Sequence, residues 1–221
     1  MASPSNESSR KIDGAFGNSI MRVPAYYKGA HAIVAAPGPS LTKDVVKQIK
    51  SVKNKYAIIG VGDVYRRIDF LDELYACDAK WWKIHGPKIT ELKPSFRSWC
   101  YDTEGETWGA IKIEGVHRPG FSTDRNKIHF GSNSGYQTLN LCYHWGFTKM
   151  ILVGFNMRQV GGKTHFFEGR EQSLATLSPY NKFVEAFKTI QPEIKDMIVN
   201  CTPNSALTGF RTNDLEKELD L

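Results

Sequence analysis

The sequence predicts an α/β domain: a single Rossmann-like unit with a mainly parallel sheet flanked by helices. Three observations carry the prediction. Short apolar runs, among them Ile33-Val34-Ala35-Ala36 and Met150-Ile151-Leu152-Val153, alternate with stretches of helical apolar spacing. Several runs end on glycine-bearing turns, namely Pro37-Gly38-Pro39-Ser40, Gly60-Val61-Gly62-Asp63 and Gly154-Phe155-Asn156. The 221 residues suffice for one sizeable domain of this kind and are too few for two ordinary ones.

The elements follow in order. A first strand is expected at residues 31–36, then a helix at 43–50 in which Val45, Val46 and Ile49 share a face. Strands are expected at 56–61 and 73–77. The region holding Gly86-Pro87, Pro94 and Trp99 to Tyr101 shows no clear period, 110–115 reads as an extra strand, and 116–132 as a long polar loop. Ser132-Asn133-Ser134-Gly135 then opens a helix with Tyr136, Leu139 and Tyr143 on one face. Asn133 or Ser132 suits its cap and Gly146 its end. A buried strand at 149–154, a polar glycine-rich loop at 159–172, a helix at 180–190 and a strand at 197–200 complete the unit. Residues 1–26 read as a flexible N-terminal arm, 27–210 as the domain, and 211–221 as an acidic C-terminal tail or short helix. No internal repeat is visible.

Composition narrows the function classes. Hydrophobic residues are 41% and charged residues 24%, which supports a packed core and excludes wholesale disorder. No apolar run approaches a membrane span, and residues 1–13 are polar with no apolar signal region. Cys77, Cys100, Cys142 and Cys201 are far apart with no Cys-x-x-Cys pair. This argues against a zinc ribbon or disulfide scaffold and for reduced thiols in a cytoplasmic setting. Lys plus Arg is 29 against 23 Asp plus Glu, a net charge of +6, which favours anionic partners: nucleotides, phosphosugars or nucleic acid. The basic residues are scattered rather than gathered in a tail.

In open α/β sheets, ligands bind beyond the carboxyl ends of the strands. Gly38, Pro39, Ser40, Gly62, Asp63, Asn156 and the turn Thr202-Pro203-Asn204-Ser205 all fall on such ends. Ser134 and Gly135 offer helix-start amides to a phosphate, although ordinary N-capping by itself explains that segment better. Neither a Gly-x-Gly-x-x-Gly nor a Walker sequence is present, so dinucleotide and P-loop readings lack support. His165, in Gly161-Gly162-Lys163-Thr164-His165, is the candidate acid or base, on a loop expected to be mobile and exposed, although the residues alone favour a plain surface histidine. His144 and His31 read as structural, and His117 and His129 flank the other long loop. No His-x-x-x-His or Asp-x-Asp pair occurs, so a metal-independent site is expected, and the Gly-x-Ser-x-Gly hydrolase elbow is missing. Trp81-Trp82-Lys83, with Lys80, Lys88, Arg66 and Arg67, is a candidate aromatic and basic surface for nucleic acid. The competing reading places one ring in the core and the other at a pocket rim.

Taken in order, these segments resemble a family of phage and prophage proteins related to bacterial sialyltransferases and to 6-hydroxymethylpterin diphosphokinase-like enzymes. Ala36-Pro37-Gly38-Pro39-Ser40-Leu41 resembles the sialyltransferase Gly-Pro-Ser-Leu nucleotide loop. Gly60-Val61-Gly62-Asp63 and Leu74-Tyr75-Ala76-Cys77-Asp78-Ala79-Lys80-Trp81-Trp82 look like the phage branch. Asn133-Ser134-Gly135, Gly146 and the strand ending at Gly154 are similar to the family's Ser-Gly helix and strand. Cys201-Thr202-Pro203-Asn204-Ser205-Ala206-Leu207 is similar to its Cys-Pro-Asn-Ser-Leu segment.

The resemblance implies a nucleotide-dependent transferase, glycosyltransferase-like, moving a sugar from a nucleotide-activated donor to a hydroxyl on a glycan or modified DNA. Gly38, Pro39, Ser40, Gly62, Asp63, Ser134 and Gly135 would bind the nucleotide, and His165 would be the base. Asp78, Trp82, Asn133, Asn156, Lys163, Asn204 and Ser205 would form the substrate pocket, with Lys163 and Arg170 helping the leaving phosphate. One alternative is diphosphate transfer from a nucleoside triphosphate with Mg²⁺. Another is a noncatalytic nucleotide-binding factor in a host cytoplasm. Two positions depart from the family: Gly62 stands where relatives carry asparagine, and Asn156 where they carry aspartate.

Overall fold

The structure, a computed structural model, describes residues 22–168, 174 and 178–221. β1 (His31–Ala35), buried on every residue after His31, passes through the Pro37 to Ser40 turn into α1 (Lys43–Ser51), where Thr42 caps the Val45 N–H. β2 (Ala57–Val61) continues into a 3₁₀ turn (Gly62–Arg66), and β3 (Glu73–Tyr75) into α2 (Ala79–Leu92). β4 (Arg97–Cys100), α3 (Thr103–Thr107), β5 (Ile111–Lys112), β6 (Glu114–Val116) and β7 (Lys127–His129) precede α4 (Ser134–Trp145) and β8 (Lys149–Val153). Then come α5 (Tyr180–Lys188), α6 (Pro192–Lys195), β9 (Ile198–Asn200), β10 (Arg211–Thr212) and α7 (Leu215–Leu219).

Eight strands form one parallel sheet in the order β10-β9-β8-β1-β2-β3-β4-β5, while β6 and β7 pair separately. The pattern is Rossmann-like, with helices on both faces. Alternate side chains of β1 divide between two cores. Ala32 and Val34 join Leu139, Trp145 and Leu152 on one face, and Ile33 and Ala35 join Ile49, Leu74 and Trp82 on the other. Ala35 pairs with Gly60 on one side and Val153 on the other, so β2, β1 and β8 end level. From β1 the chain runs outward to β2 in one direction, and β8 lies in the other. The crevice where the order reverses is the place such sheets offer a ligand.

Three stretches differ from the sequence expectation. The Gly86-Pro87 region lies inside α2. Asp78 Oδ1 caps this helix by accepting the Lys80 N–H at 2.7 Å and the Trp81 N–H at 3.3 Å. Gly86 leaves room for Trp108, whose ring would meet an added Cβ at 2.2 Å, so a tertiary contact overrides an apparent helix break. The strand expected at 110–115 is two, β5 and β6, divided at Ile113, whose N–H reaches back to Cys100 O at 2.9 Å. The loop expected at 116–132 contains β7. At the ends, Val23 is fully buried and donates to Arg125 O, while β10 extends the sheet and Leu215 and Leu219 of α7 enter the core.

Candidate functional site

A cavity of about 300 Å³ opens beyond the carboxyl ends of β1, β2, β3 and β8. One wall is the Pro37-Gly38 turn, held against the end of β8. The Gly38 N–H donates to Gly154 O at 3.0 Å, and Asn156 Oδ1 accepts from the Ser40 N–H at 3.1 Å and from Ser40 Oγ at 2.8 Å. A Cβ on Gly38 would stand 2.1 Å from Gly154 O and 2.4 Å from Asn156 Oδ1, so glycine is what lets the two strand ends touch. Gly62 borders the cavity at φ +52, a left-handed conformation that suits glycine and tolerates asparagine.

The second wall is the start of α4. Asn133 Oδ1 accepts the Tyr136 N–H at 2.8 Å, while its Nδ2 donates to Gly131 O. The Ser134 and Gly135 amides have no intrahelical acceptor at this end, where the helix dipole is positive. Ser134 Oγ ties α4 to the end of β3, donating to Cys77 Sγ at 3.0 Å and accepting the Cys77 N–H at 3.2 Å. Burial pushes the Cys77 thiol up to about 11, so it stays protonated at neutral pH and is no nucleophile.

Opposite stand Asp63, Asp78 and Trp81. Asp63 is 3% exposed; Trp81 Nε1 donates to its Oδ2 at 3.4 Å, and Arg66 Nη1 and His85 Nε2 each lie 3.5 Å from Oδ1. His165 also borders the cavity, its Nδ1 2.8 Å from Thr164 Oγ1. Residues 164–167 are half-buried where the sequence reading expects exposure, while 161–163 are exposed. The Phe166 N–H donates to Pro37 O at 3.0 Å. The Arg67 guanidinium donates to Phe166 O at 3.2 Å and to Leu41 O while lying 4.0 Å above the Phe166 ring. Arg66 covers Phe167 in the same way at 4.1 Å.

Of the residues singled out from the sequence, Gly38, Gly62, Asp63, Asp78, Asn133, Ser134, Gly135, Asn156 and His165 all border this cavity. Pro39 and Ser40 do not, since Ser40 turns onto Asn156. Trp82 is fully buried with Nε1 on Ala76 O at 2.9 Å, and the rim position belongs to Trp81. Lys163 is drawn away by Glu168, 2.7 Å distant. Asn204 is exposed at φ +52, and Ser205 Oγ donates to Phe155 O at 2.6 Å, so both serve the turn rather than the cavity wall. Arg170 lies outside the described residues. With Trp81 and Trp82 both buried, the aromatic platform for nucleic acid is not on the surface. Sequence reasoning passed over Thr164, Tyr180 and Phe183, which also border the cavity, and His85 behind it. The only signal for His85 was its place four residues after Trp81, on the same helix face.

Among the described residues, no group of three or more His, Cys, Asp or Glu gathers as metal ligands, and no helix is long and apolar enough to cross a membrane. No family model matches the chain, and no curated protein matches its sequence. In fold it is similar to a solved chain described as the structure of MAf glycosyltransferase from Magnetospirillum magneticum AMB-1. The TM-score is 0.57 at 13% identity, over 86% of this chain and 34% of that one. This chain thus spans about a third of that protein's length, and what the two share is the Rossmann-like α/β fold.

Proposed function

We propose that the protein is a glycosyltransferase-like transferase, taking a nucleotide-activated sugar and passing the sugar to a hydroxyl acceptor. The observation that carries the reading is one cavity bringing together the α4 N-terminus, the Gly38 turn, Asp63 and His165. Among the described residues no Lys or Arg borders it, so the donor phosphate falls to the Ser134 and Gly135 amides and the positive end of α4. Asp63, an acceptor only, receives a hydroxyl of the ribose or sugar.

His165 acts as base when its Nδ1–H donates to Thr164 Oγ1, which places the lone pair on Nε2. Nε2 takes the acceptor's hydroxyl proton as that oxygen bonds to the anomeric carbon. The bond from this carbon to the phosphate oxygen breaks, and the nucleotide leaves with the electron pair. The amides at α4 stabilise the charge it gains. The fold shared with a solved glycosyltransferase and the resemblance to sialyltransferase motifs both support this reading. Diphosphate transfer with Mg²⁺ fits the residues poorly. Asp63 and Asp78 are the two carboxylates among the described residues of the cavity, and Asp78 Oδ1 is held by the first amides of α2.

The test is calorimetric and thermal-shift titration with CMP, UDP and GDP sugars, and with nucleoside triphosphates plus Mg²⁺. Binding of a nucleotide sugar, with His165→Ala abolishing turnover and sparing affinity, is the expected result. Binding of triphosphates alone moves the assignment to diphosphate transfer, and binding of neither removes both.

A further inference from the structure

Behind Asp63 lies a second layer that the transfer chemistry above does not use. His85 is wholly buried on α2, stacked on Trp81 with ring centroids 4.6 Å apart and planes 24° apart. Tyr65 meets the same ring edge-on at 5.7 Å. The imidazole lies between two groups: its Nδ1 is hydrogen-bonded with Tyr65 Oη at 2.7 Å, and its Nε2, buried and without a hydrogen bond, faces Asp63 Oδ1 at 3.5 Å. Tyr65 and Asp63 both belong to the 3₁₀ turn after β2, so His85 reaches from a different element to brace one buried carboxylate of the cavity wall.

The chemistry of the three groups fixes the direction of the chain. An ionised Asp63 accepts and cannot donate, whereas a tyrosine hydroxyl does both. A neutral imidazole holds one proton. On Nε2 it faces the carboxylate; on Nδ1 it would leave the Nε2 lone pair against a negative oxygen. The first arrangement wins, and Tyr65 then donates to Nδ1. Tyr65 therefore donates to His85, and the buried Nε2, which makes no hydrogen bond, faces Asp63 Oδ1 at 3.5 Å as an electrostatic contact. Trp81 Nε1, on the other carboxylate oxygen, holds the carboxylate from a second direction.

We propose that His85 is a positioning residue that acts on the bound ligand through Asp63, with Tyr65 selecting its tautomer. The aligned carboxylate then accepts from a ligand hydroxyl, the ribose or sugar group of a nucleotide donor. The ligand in this statement rests on the transferase reading; the tautomer does not.

Two measurements on the full chain test it. The first is ¹⁵N NMR of the histidine rings without ligand near neutral pH. His85 is expected to be neutral with its proton on Nε2, and Tyr65→Phe, which removes the hydroxyl and keeps the ring, is expected to shift the His85 signals. A proton on Nδ1 overturns the proposal. The second is a double-mutant cycle read by calorimetry with CMP and UMP. His85→Gln is expected to weaken binding roughly tenfold in the wild-type background and to cost nothing further once Asp63 is Asn. Additive losses mean that His85 acts independently of Asp63 and overturn the proposal. Where His85→Gln fails to fold, Tyr65→Phe takes its place in the cycle. Where the wild type binds neither CMP nor UMP, the cycle is run with GDP; binding of none of the three removes the transferase reading, and the proposal is then decided by the tautomer alone.

Discussion

Asn156 Oδ1 accepts two hydrogen bonds from one residue, Ser40: the backbone N–H at 3.1 Å and the hydroxyl at 2.8 Å. Its Nδ2 meanwhile donates to Pro203 O at 3.4 Å, and its own carbonyl accepts the Ala206 N–H at 2.9 Å. One amide side chain thus joins the turns after β1, β8 and β9. An aspartate here accepts from Ser40 just as well but has nothing to donate to Pro203.

Asn156→Ala strands the Ser40 N–H, and the expected loss of stability is about 1–3 kcal/mol in urea denaturation. Asn156→Asp is expected to lose less, and to bind anionic nucleotides more weakly because it adds a negative charge at the cavity edge. Equal losses for both variants would show that Ser40 finds another acceptor.

Arg67 is the clasp between the Pro37 to Leu41 turn and the segment bearing His165. Arg67→Ala removes two carbonyl contacts and the cover over Phe166. Amide exchange at Phe166, whose N–H bonds to Pro37 O, is expected to accelerate at least tenfold, about 1.4 kcal/mol of lost local protection. Arg67→Lys is expected to restore little, since an ammonium lacks the planar fork that serves two carbonyls and a ring together. Unchanged exchange at Phe166 would mean that this segment is held without Arg67.

Glu73 is a buried carboxylate at 0% exposure, accepting from Tyr27 Oη at 2.9 Å, Arg97 Nε at 2.9 Å and Trp99 Nε1 at 2.8 Å. Burial outweighs these donors and raises its pKa above the usual carboxylate value. A folded-state pKa above the unfolded one means that this group's contribution to stability is fully present below the unfolded value and is lost as pH rises through the folded value. Arg97→Ala raises the folded value further. The expected destabilisation, about 3 kcal/mol where Glu73 is ionised, shrinks as pH falls through its raised pKa. Paired urea titrations of wild type and variant check this, and a pH-independent difference would contradict it.

Burial pushes the Cys100 and Cys201 thiols up to about 12 and Cys142 well above the usual range, against about 11 for Cys77. All four are expected to resist iodoacetamide at neutral pH. As pH rises, Cys77 reacts first, and a nucleotide in the cavity protects it alone. Mass spectrometry of the alkylated peptides gives the order, and early labelling of Cys142 would contradict the packing around α4.

The sequence made β1, β8 and α4 legible because each carries its signal locally. β1 and β8 are unbroken apolar runs buried on both faces, and α4 has Asn133 as cap and Gly146, at φ +90, as its end. α2 was illegible because Gly86-Pro87 reads as a break until Trp108 packs on it, a contact across 22 positions that no local window contains. β5, β6 and β7, of two or three residues, are too short to show a period. At the site, Gly38 and Gly135 were legible because close approach to Gly154 and Phe155 demands glycine, and that demand is written in the residue type. The cavity rim belongs to Trp81 and not to Trp82, since one step along a helix turns a side chain by about 100°. The chain from Tyr65 through His85 to Asp63 leaves no motif at all, because packing rather than spacing joins its members.

The place of β1 at the middle of the sheet has a consequence for the protein's birth. Its partner β8 is joined to it from His31↔Lys149 to Ala35↔Val153, so a nascent chain carries a half-finished sheet with a bare apolar edge until the ribosome has passed residue 153. Helices and the β1–β2 pair form early, but the ligand crevice exists only after this late, long-range closure, which is slow. Translation that stalls before Lys149 is expected to yield a sticky fragment that depends on chaperones, whereas a chain from which β8 has emerged and joined β1 holds the central strands in register.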